Sequence, residues 1–537
     1  MTKHTYPQSN KQTHIVLIAI LILAAALRFF YLAQIQNNPL PEYVTTSKVF
    51  DQYRFIESAK EFLKGNWLGL QVPPRYSLAY SYLIAFLYTF FPQNINTLFI
   101  FQVLLGLVAV YVFYRTGSLL FGNKNVGLIA AFIAALYSPF LFQECNMERG
   151  AIIAYANLLG FYFLLKAVRK HKLRYFFFSG LAIGVSTVLR GNILFPFIVA
   201  YILFMIKKLY KFKMVSILLF SIGVLLITSP LSIRNKIVGN TFLIEPQTIE
   251  NFWIGNTYDS PGVGFWASSS RLELTKECKE NIVKTFKIFI REIKKHPIAY
   301  RDLYWRKIRM FFSGYEIPAN LSYDQFKENH SALKLSFITF GIICPLALLG
   351  IAVVRKKYAT MGLLYIFLCV LSISNILFHI QGRYRIPVIP FLIILAAYAI
   401  YWCSSMLLKK DLTKLCIAII AIVLFSLYIK PKSAFINNPV LPIRTIDYSN
   451  LATAYFEKAN DVKTPYDHRD KLLQKAVTNL SKYIKLDPTN IDIYLRLGYI
   501  YYRLGQYEAA KEVFNTILLL DPNNENTRKA IVFLSKK

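Results

Sequence analysis

Asp51 lies in VFDQYRFIESAKEFLKGNW, where Phe55, Ala59 and Phe62 follow it at i+4, i+8 and i+11. That spacing predicts a short helix with the carboxylate at the head of one face. Such a carboxylate can take the proton of a hydroxyl group. It can equally do no more than satisfy the free N–H groups of a helix start. Two further acids, Glu144 and Glu148, stand four apart in FQECNMERG, with Arg149 next to the second. Arginines recur in PPRYSLAY (Arg75), VLRGN (Arg190), SIRNK (Arg234) and QGRYRIP (Arg383 and Arg385). A guanidinium pairs with phosphate bidentately, so this set is a candidate for holding a phosphate group. Contact with lipid headgroups is the simpler role.

The elements that must position these residues follow from composition. Only 17% of the 537 residues are charged and 55% are hydrophobic, against about 25% charged in soluble domains. The six cysteines include no CxxC and no pair at metal spacing, which excludes a disulfide scaffold and a zinc module. A small secreted domain, a disordered chain and an ordinary cytosolic enzyme are excluded as well. Apolar runs long enough to cross a ~30 Å hydrocarbon core lie near 14–34, 97–119, 126–142, 150–168, 174–190, 192–207, 214–231, 335–354, 359–379, 386–408 and 413–429. The expected fold class is therefore all-α, a polytopic membrane protein of about eleven spans.

The net charge of +33 would on a soluble chain point to nucleic acid. Here much of it sits in short connectors: Lys124; Arg169, Lys170, Lys172 and Arg174; Lys207, Lys208, Lys211 and Lys213; Arg355, Lys356 and Lys357; Lys409, Lys410 and Lys414. Cytoplasmic loops carry such excess. All five clusters fall on one side if the short, Tyr-rich stretch 77–91 is re-entrant or interfacial. Segments 35–96, 143–149 and 232–334, and everything after about 430, are then extracytoplasmic, and nucleic acid is not a partner. The 275–312 stretch alternates basic and apolar residues at helical spacing. It suits helices lying on the outer membrane surface, or a solvated face packed on the bundle.

The tail differs. LDPTN at 486–490 recurs as LDPNN at 520–524, a period of 34 residues that marks a tetratricopeptide repeat. Tyr494, Leu497, Gly498, Tyr501, Ala510 and Phe514 occupy its characteristic positions, and a poorer copy spans about 449–488. The expected domains are 1–430, a linker at 431–445, and a repeat domain at 446–537. Such repeats dock protein partners in general and specify no chemistry.

Arg28 in the first span, Asp51, the acids of 143–149, LRGN, RN, NFWIGN, RKIRMFFSGYEIP, RYRIP and the repeat tail, in that order, resemble one family. It is the bacterial branch of the GT-C glycosyltransferases, the clan of protein O-mannosyltransferases and lipid A aminoarabinose transferases. The similarity extends over nearly the whole chain. Where the family has Asp-Ala-x-x-Tyr, this sequence has Asp51-Gln52-Tyr53-Arg54-Phe55. Its Leu-x-x-Glu-Pro becomes Asn146-Met147-Glu148-Arg149, and its Thr-Arg-Pro-Asn becomes Leu189-Arg190-Gly191-Asn192.

The resemblance implies an inverting hexosyl- or pentosyltransferase that uses a polyprenyl-phosphate sugar at the extracytoplasmic face of the inner membrane. The acceptor would be a protein, lipid or glycan. Asp51 would be the base, and Glu148 would hold the acceptor or orient an arginine. Arg383 and Arg385 come first for the donor phosphate, with Arg75, Arg190 and Arg234 behind them. Glu144, Asn256, Tyr315 and Glu316 would position the acceptor or the covering loop. No cofactor is required, although Asp51, Glu144 and Glu148 could hold a divalent metal. A transporter of lipid-linked sugars is the rival reading, but transporters place ionisable groups near the bilayer midplane. A non-catalytic repeat scaffold leaves Asp51 and the arginines unexplained.

Overall fold

The computed structural model describes residues 10–70, 76–191, 214–264, 268, 270–278, 281–354, 360–429 and 444–535. Arg75, the expected span at 192–207 and most of the expected linker lie outside them. The described residues are helical, with no strand among them and two isolated bridges, Tyr137 with Ile338 and Val263 with Ile380. They form two compact units, one of residues 1–34 with 54–439 and one of 35–53 with 440–537.

In the first unit, five helices are long and apolar enough to cross a membrane: Lys11–Ile35, Ile95–Phe121, Gly150–Lys170, Met214–Gly239 and Gly382–Leu408. Six shorter apolar helices accompany them, Ala79–Phe90, Lys124–Leu136, Arg174–Leu189, Phe340–Val353, Met361–Leu377 and Leu412–Tyr428. Ala79–Phe90, the Tyr-rich stretch, has 12 residues and rises only about 18 Å. Small residues let helices meet closely, as in membrane bundles. A Cβ on Gly180 would stand 2.1 Å from the Phe220 carbonyl oxygen, and one on Gly223 would stand 2.5 Å from that of Phe177.

The run expected as one span at 126–142 is broken. Helix Lys124–Leu136 ends at an extended Tyr137, and Ser138–Glu144 restarts with Pro139 in its first turn. Proline lacks the N–H that would continue the ladder. The freed backbone groups are taken up by Ile338, which accepts from the Ser138 N–H at 3.0 Å and donates to the Leu136 carbonyl at 3.3 Å.

In the second unit, five helices follow one another, Thr445–Asn460, Tyr466–Leu486, Ile491–Arg503, Tyr507–Leu520 and Glu525–Leu534. Leu497, Ala510 and Phe514 are core residues, as the repeat register predicts. A Cβ on Gly498 would meet the Phe514 ring at 2.5 Å, so glycine sets that helix spacing. Asp487 and Asp521 end helices and turn the chain by accepting from the N–H groups of Thr489 and Asn523, each at 3.2 Å. Residues 35–53 supply helix Leu40–Thr46, whose Glu42 pairs with Lys458 at 3.3 Å.

Candidate functional site

Within the first unit the 143–149 loop is held from inside the helical bundle. Arg28 meets Glu144 in a fork, Nε 2.9 Å from Oε2 and Nη2 3.1 Å from Oε1, and the Tyr155 hydroxyl also donates to Glu144. Both charges are fully buried. Gly106 makes the room, since a Cβ there would stand 2.2 Å from Glu144 Oε1. Gln102 donates to the carbonyls of Glu144 and Asn146 at 2.8 and 3.0 Å. With the loop so tied, Glu148 and Arg149 emerge at its end.

The 380–385 segment is held from two other loops. The Ile380 N–H donates to Gly262 at 2.8 Å, and the Gly382 N–H to Ile317 at 2.7 Å. Residues two apart in a helical turn point about 200° from each other, so Arg383 and Arg385 part. Arg383 Nη1 donates to both oxygens of Glu148, at 3.3 and 3.4 Å. Arg385 turns inward. It donates to the carbonyls of Phe311, Ser313 and Tyr315 at 2.6–3.0 Å and pairs with Glu316 at 2.9 Å. Arg234 is likewise spent on backbone, donating to the Leu68 and Gly69 carbonyls at 2.9 and 2.6 Å.

Arg149 and Tyr384 line a first cleft, and their chain neighbours Glu148 and Arg383 line a second. The first, of about 320 Å³, is lined by Arg149, Arg190, Glu245, Thr248, Asn251, Phe378, His379 and Tyr384. Arg149 reaches it by capping helix Arg174–Leu189, donating to the Leu189 carbonyl at 2.7 Å where the helix end is electronegative. Its other arm lies 3.4 Å from Glu245, and it sits 5.4 Å from the Phe55 ring centroid. Arg190 stacks 3.8 Å from the Tyr384 ring centroid. Two guanidiniums face one carboxylate, so the lining is net cationic.

The second cleft, of about 390 Å³, carries Glu148, Glu316, Gln143, Arg383 and Tyr323 among its lining residues. Gln143 Oε1 and Glu316 Oε1 are buried there without a hydrogen-bond donor. Oxygens in that condition call for a donor such as a ligand hydroxyl. Among the described residues no group of three or more His, Cys, Asp and Glu side chains is placed to hold a metal ion.

Asp51, Asn256 and Tyr315 are expected residues that are not among the lining of either cleft. Asp51 is the first residue of helix Asp51–Leu63, one turn before Phe55, and falls in the unit of 35–53 and 440–537. Asn256 is a buried hub. Its side chain donates to Phe252 and Leu377 and accepts from the Tyr304 hydroxyl at 2.8 Å and from Lys307 at 2.9 Å. Burial, and then the neighbouring Arg306, holds the Lys307 ammonium well below its ordinary pKa. Tyr315 is buried, its carbonyl accepting from Arg385. Sequence reasoning did not anticipate Glu245, His379 or Tyr384 at the site. His379 and Tyr384 flank the singled-out arginine in HIQGRYR, which was the available signal, whereas nothing marked Glu245.

Residues 73–233 match the family of dolichyl-phosphate-mannose-protein mannosyltransferases, and residues 469–530 match tetratricopeptide repeats. Over these stretches the resemblance drawn from the motifs is borne out. Among curated proteins none matches the chain. Solved structures align with it, among them the following two. The apo oligosaccharyltransferase of Archaeoglobus fulgidus does so at 13% identity and a TM-score of 0.43, over 85% of this chain. This chain spans only 60% of that protein's length. ArnT from Cupriavidus metallidurans, bound to undecaprenyl phosphate, aligns at 12% identity and a TM-score of 0.44, over 98% of this chain and 76% of its own.

Proposed function

We propose that the chain is a membrane glycosyltransferase that moves a sugar from a polyprenyl-phosphate carrier to an acceptor hydroxyl at the extracytoplasmic face of the inner membrane. The observation that carries this reading is the cationic cleft of Arg149 and Arg190. Both residues lie inside the stretch that matches the dolichyl-phosphate-mannose-dependent family. The acceptor oxygen forms a bond to the anomeric carbon as the bond from that carbon to the phosphate oxygen breaks, with inversion. The phosphate leaves with the electron pair, and its charge grows from one to two as the diester becomes a monoester. Preset guanidiniums favour the state with more charge.

Arg149 and Arg190 hold the phosphate, and Arg383 lines the second cleft beside Glu148. Arg385 and Arg234 act at one remove, by fixing the backbone. The second cleft takes the acceptor, its hydroxyls donating to Glu148, Glu316 and Gln143. Asp51 removes the acceptor's proton. Residues 1–430 form the catalytic domain and 446–537 a docking domain for a protein partner. The test is transfer in vesicles with polyprenyl-phosphate mannose as the first donor, following release of polyprenyl phosphate. Asp51→Asn should abolish release while the protein inserts normally; retained release would remove Asp51 as the base.

A further inference from the structure

We infer that helix Ile282–Lys295 is a bilayer-seating element that recognises an anionic phospholipid surface. At about 100° per residue, its side chains fall into three sectors. Thr285, Ile288, Phe289 and Glu292 form the first, in which Ile288 and Phe289 pack on Trp253, Leu274 and Cys278. Ile282, Val283, Phe286 and Ile290 form the second, within an arc of about 100°, and each is more than half exposed. Lys284, Lys287, Arg291 and Lys294 form the third, all exposed. Glu277 holds Arg291 in a fork at 2.7 and 2.7 Å, which leaves three lysines of one sign beside the apolar arc.

A helix that only packs on its own protein needs one apolar sector; this one has a second, facing outward. Contiguous exposed apolar residues mark an interaction surface, and an apolar arc with lysines along its edge is the signature of an interfacial membrane helix. The next helix, Pro297–Phe312, repeats the pattern. Ile298 and Trp305 are exposed two turns apart on one face with Arg301 between them, and tryptophan favours the headgroup layer. The stretch runs between two apolar helices, Met214–Gly239 and Phe340–Val353, so a bilayer lies within its reach. The uniform positive charge selects anionic headgroups over zwitterionic ones.

The test needs no transfer activity and stands apart from the proposed reaction. In the full chain with Cys369, Cys403 and Cys416 replaced by serine, nitroxides are attached at Phe286→Cys, Ile290→Cys and Lys287→Cys. The protein is placed in nanodiscs of phosphatidylcholine with and without phosphatidylglycerol. The labels at 286 and 290 should collide with oxygen severalfold more than with a water-soluble nickel chelate, and the label at 287 should show the reverse. Lys284→Glu, Lys287→Glu and Lys294→Glu together should lift the labels at 286 and 290 toward water in the phosphatidylglycerol discs. Nickel access at 286 and 290 would overturn the inference. So would labels shielded from both reagents, which a second copy or a protein partner would produce. Indifference to phosphatidylglycerol and to charge reversal would overturn the anionic recognition.

Discussion

Glu148 and Arg383 are 235 residues apart in the chain and share a forked contact at 3.3 and 3.4 Å. The pair lines the cleft that offers bare oxygens, and its chain neighbours Arg149 and Tyr384 line the one that offers guanidiniums. Neutralising Glu148 should therefore act on acceptor use and leave the phosphate cleft intact. Glu148→Gln should raise KM for the acceptor about 10-fold or more, the ratio expected for a lost charge-assisted hydrogen bond of ~1.5–3 kcal/mol. KM for the polyprenyl donor should change little. Steady-state kinetics in vesicles would show the split.

Arg149 and Arg190 should separate from Arg385 by what each loses. Arg190→Gln should lower kcat about 10²-fold with an unchanged melting temperature, as removal of one preset charge-stabilising donor does. Arg149→Gln should cost activity and also some stability, because the Leu189 helix end loses its cap. Arg385→Gln should lower stability first, since it leaves Glu316 buried without its partner, at a cost of about 3–5 kcal/mol. Thermal unfolding in detergent, alongside kinetics, distinguishes the three.

The Arg28–Glu144 fork should respond to single and double replacement in opposite ways. Arg28→Met strands a buried carboxylate and should destabilise by about 3–5 kcal/mol, while Arg28→Met with Glu144→Gln should recover most of the loss. Gly106→Ala should resemble the single variant, since its methyl group would occupy the place of Glu144 Oε1. Unfolding midpoints of the four proteins check this.

Lys307 gives a pH dependence with a definite sign. Its folded-state pKa is lowered, chiefly by burial, so between that value and the ordinary lysine value the unfolded chain binds more protons than the folded one. Stability then rises with pH across that window. Lys307→Met should flatten the rise of melting temperature with pH below about pH 10, where ordinary lysines are still protonated. An unchanged slope would show that the rise comes from other groups.

Much was decided by sequence alone, because it depends on local periodicity. Apolar runs, the phrase LDP recurring after 34 residues and helical spacing predict helices and a repeat tail without knowledge of any distant contact. The presence of a charged site was also visible, as the acids of 143–149 and the arginine of RYR stand out against apolar surroundings. Only the tertiary structure decided how the charges are apportioned. Arg383 and Arg385 look alike in sequence, yet about half a turn of helix sends the first to Glu148 and the second into the carbonyls of 311–315. Glu144 and Glu148 look alike as well, but Gly106 and Arg28 draw the first inside the bundle. Those choices rest on partners 70 to 235 residues away, which no local pattern encodes.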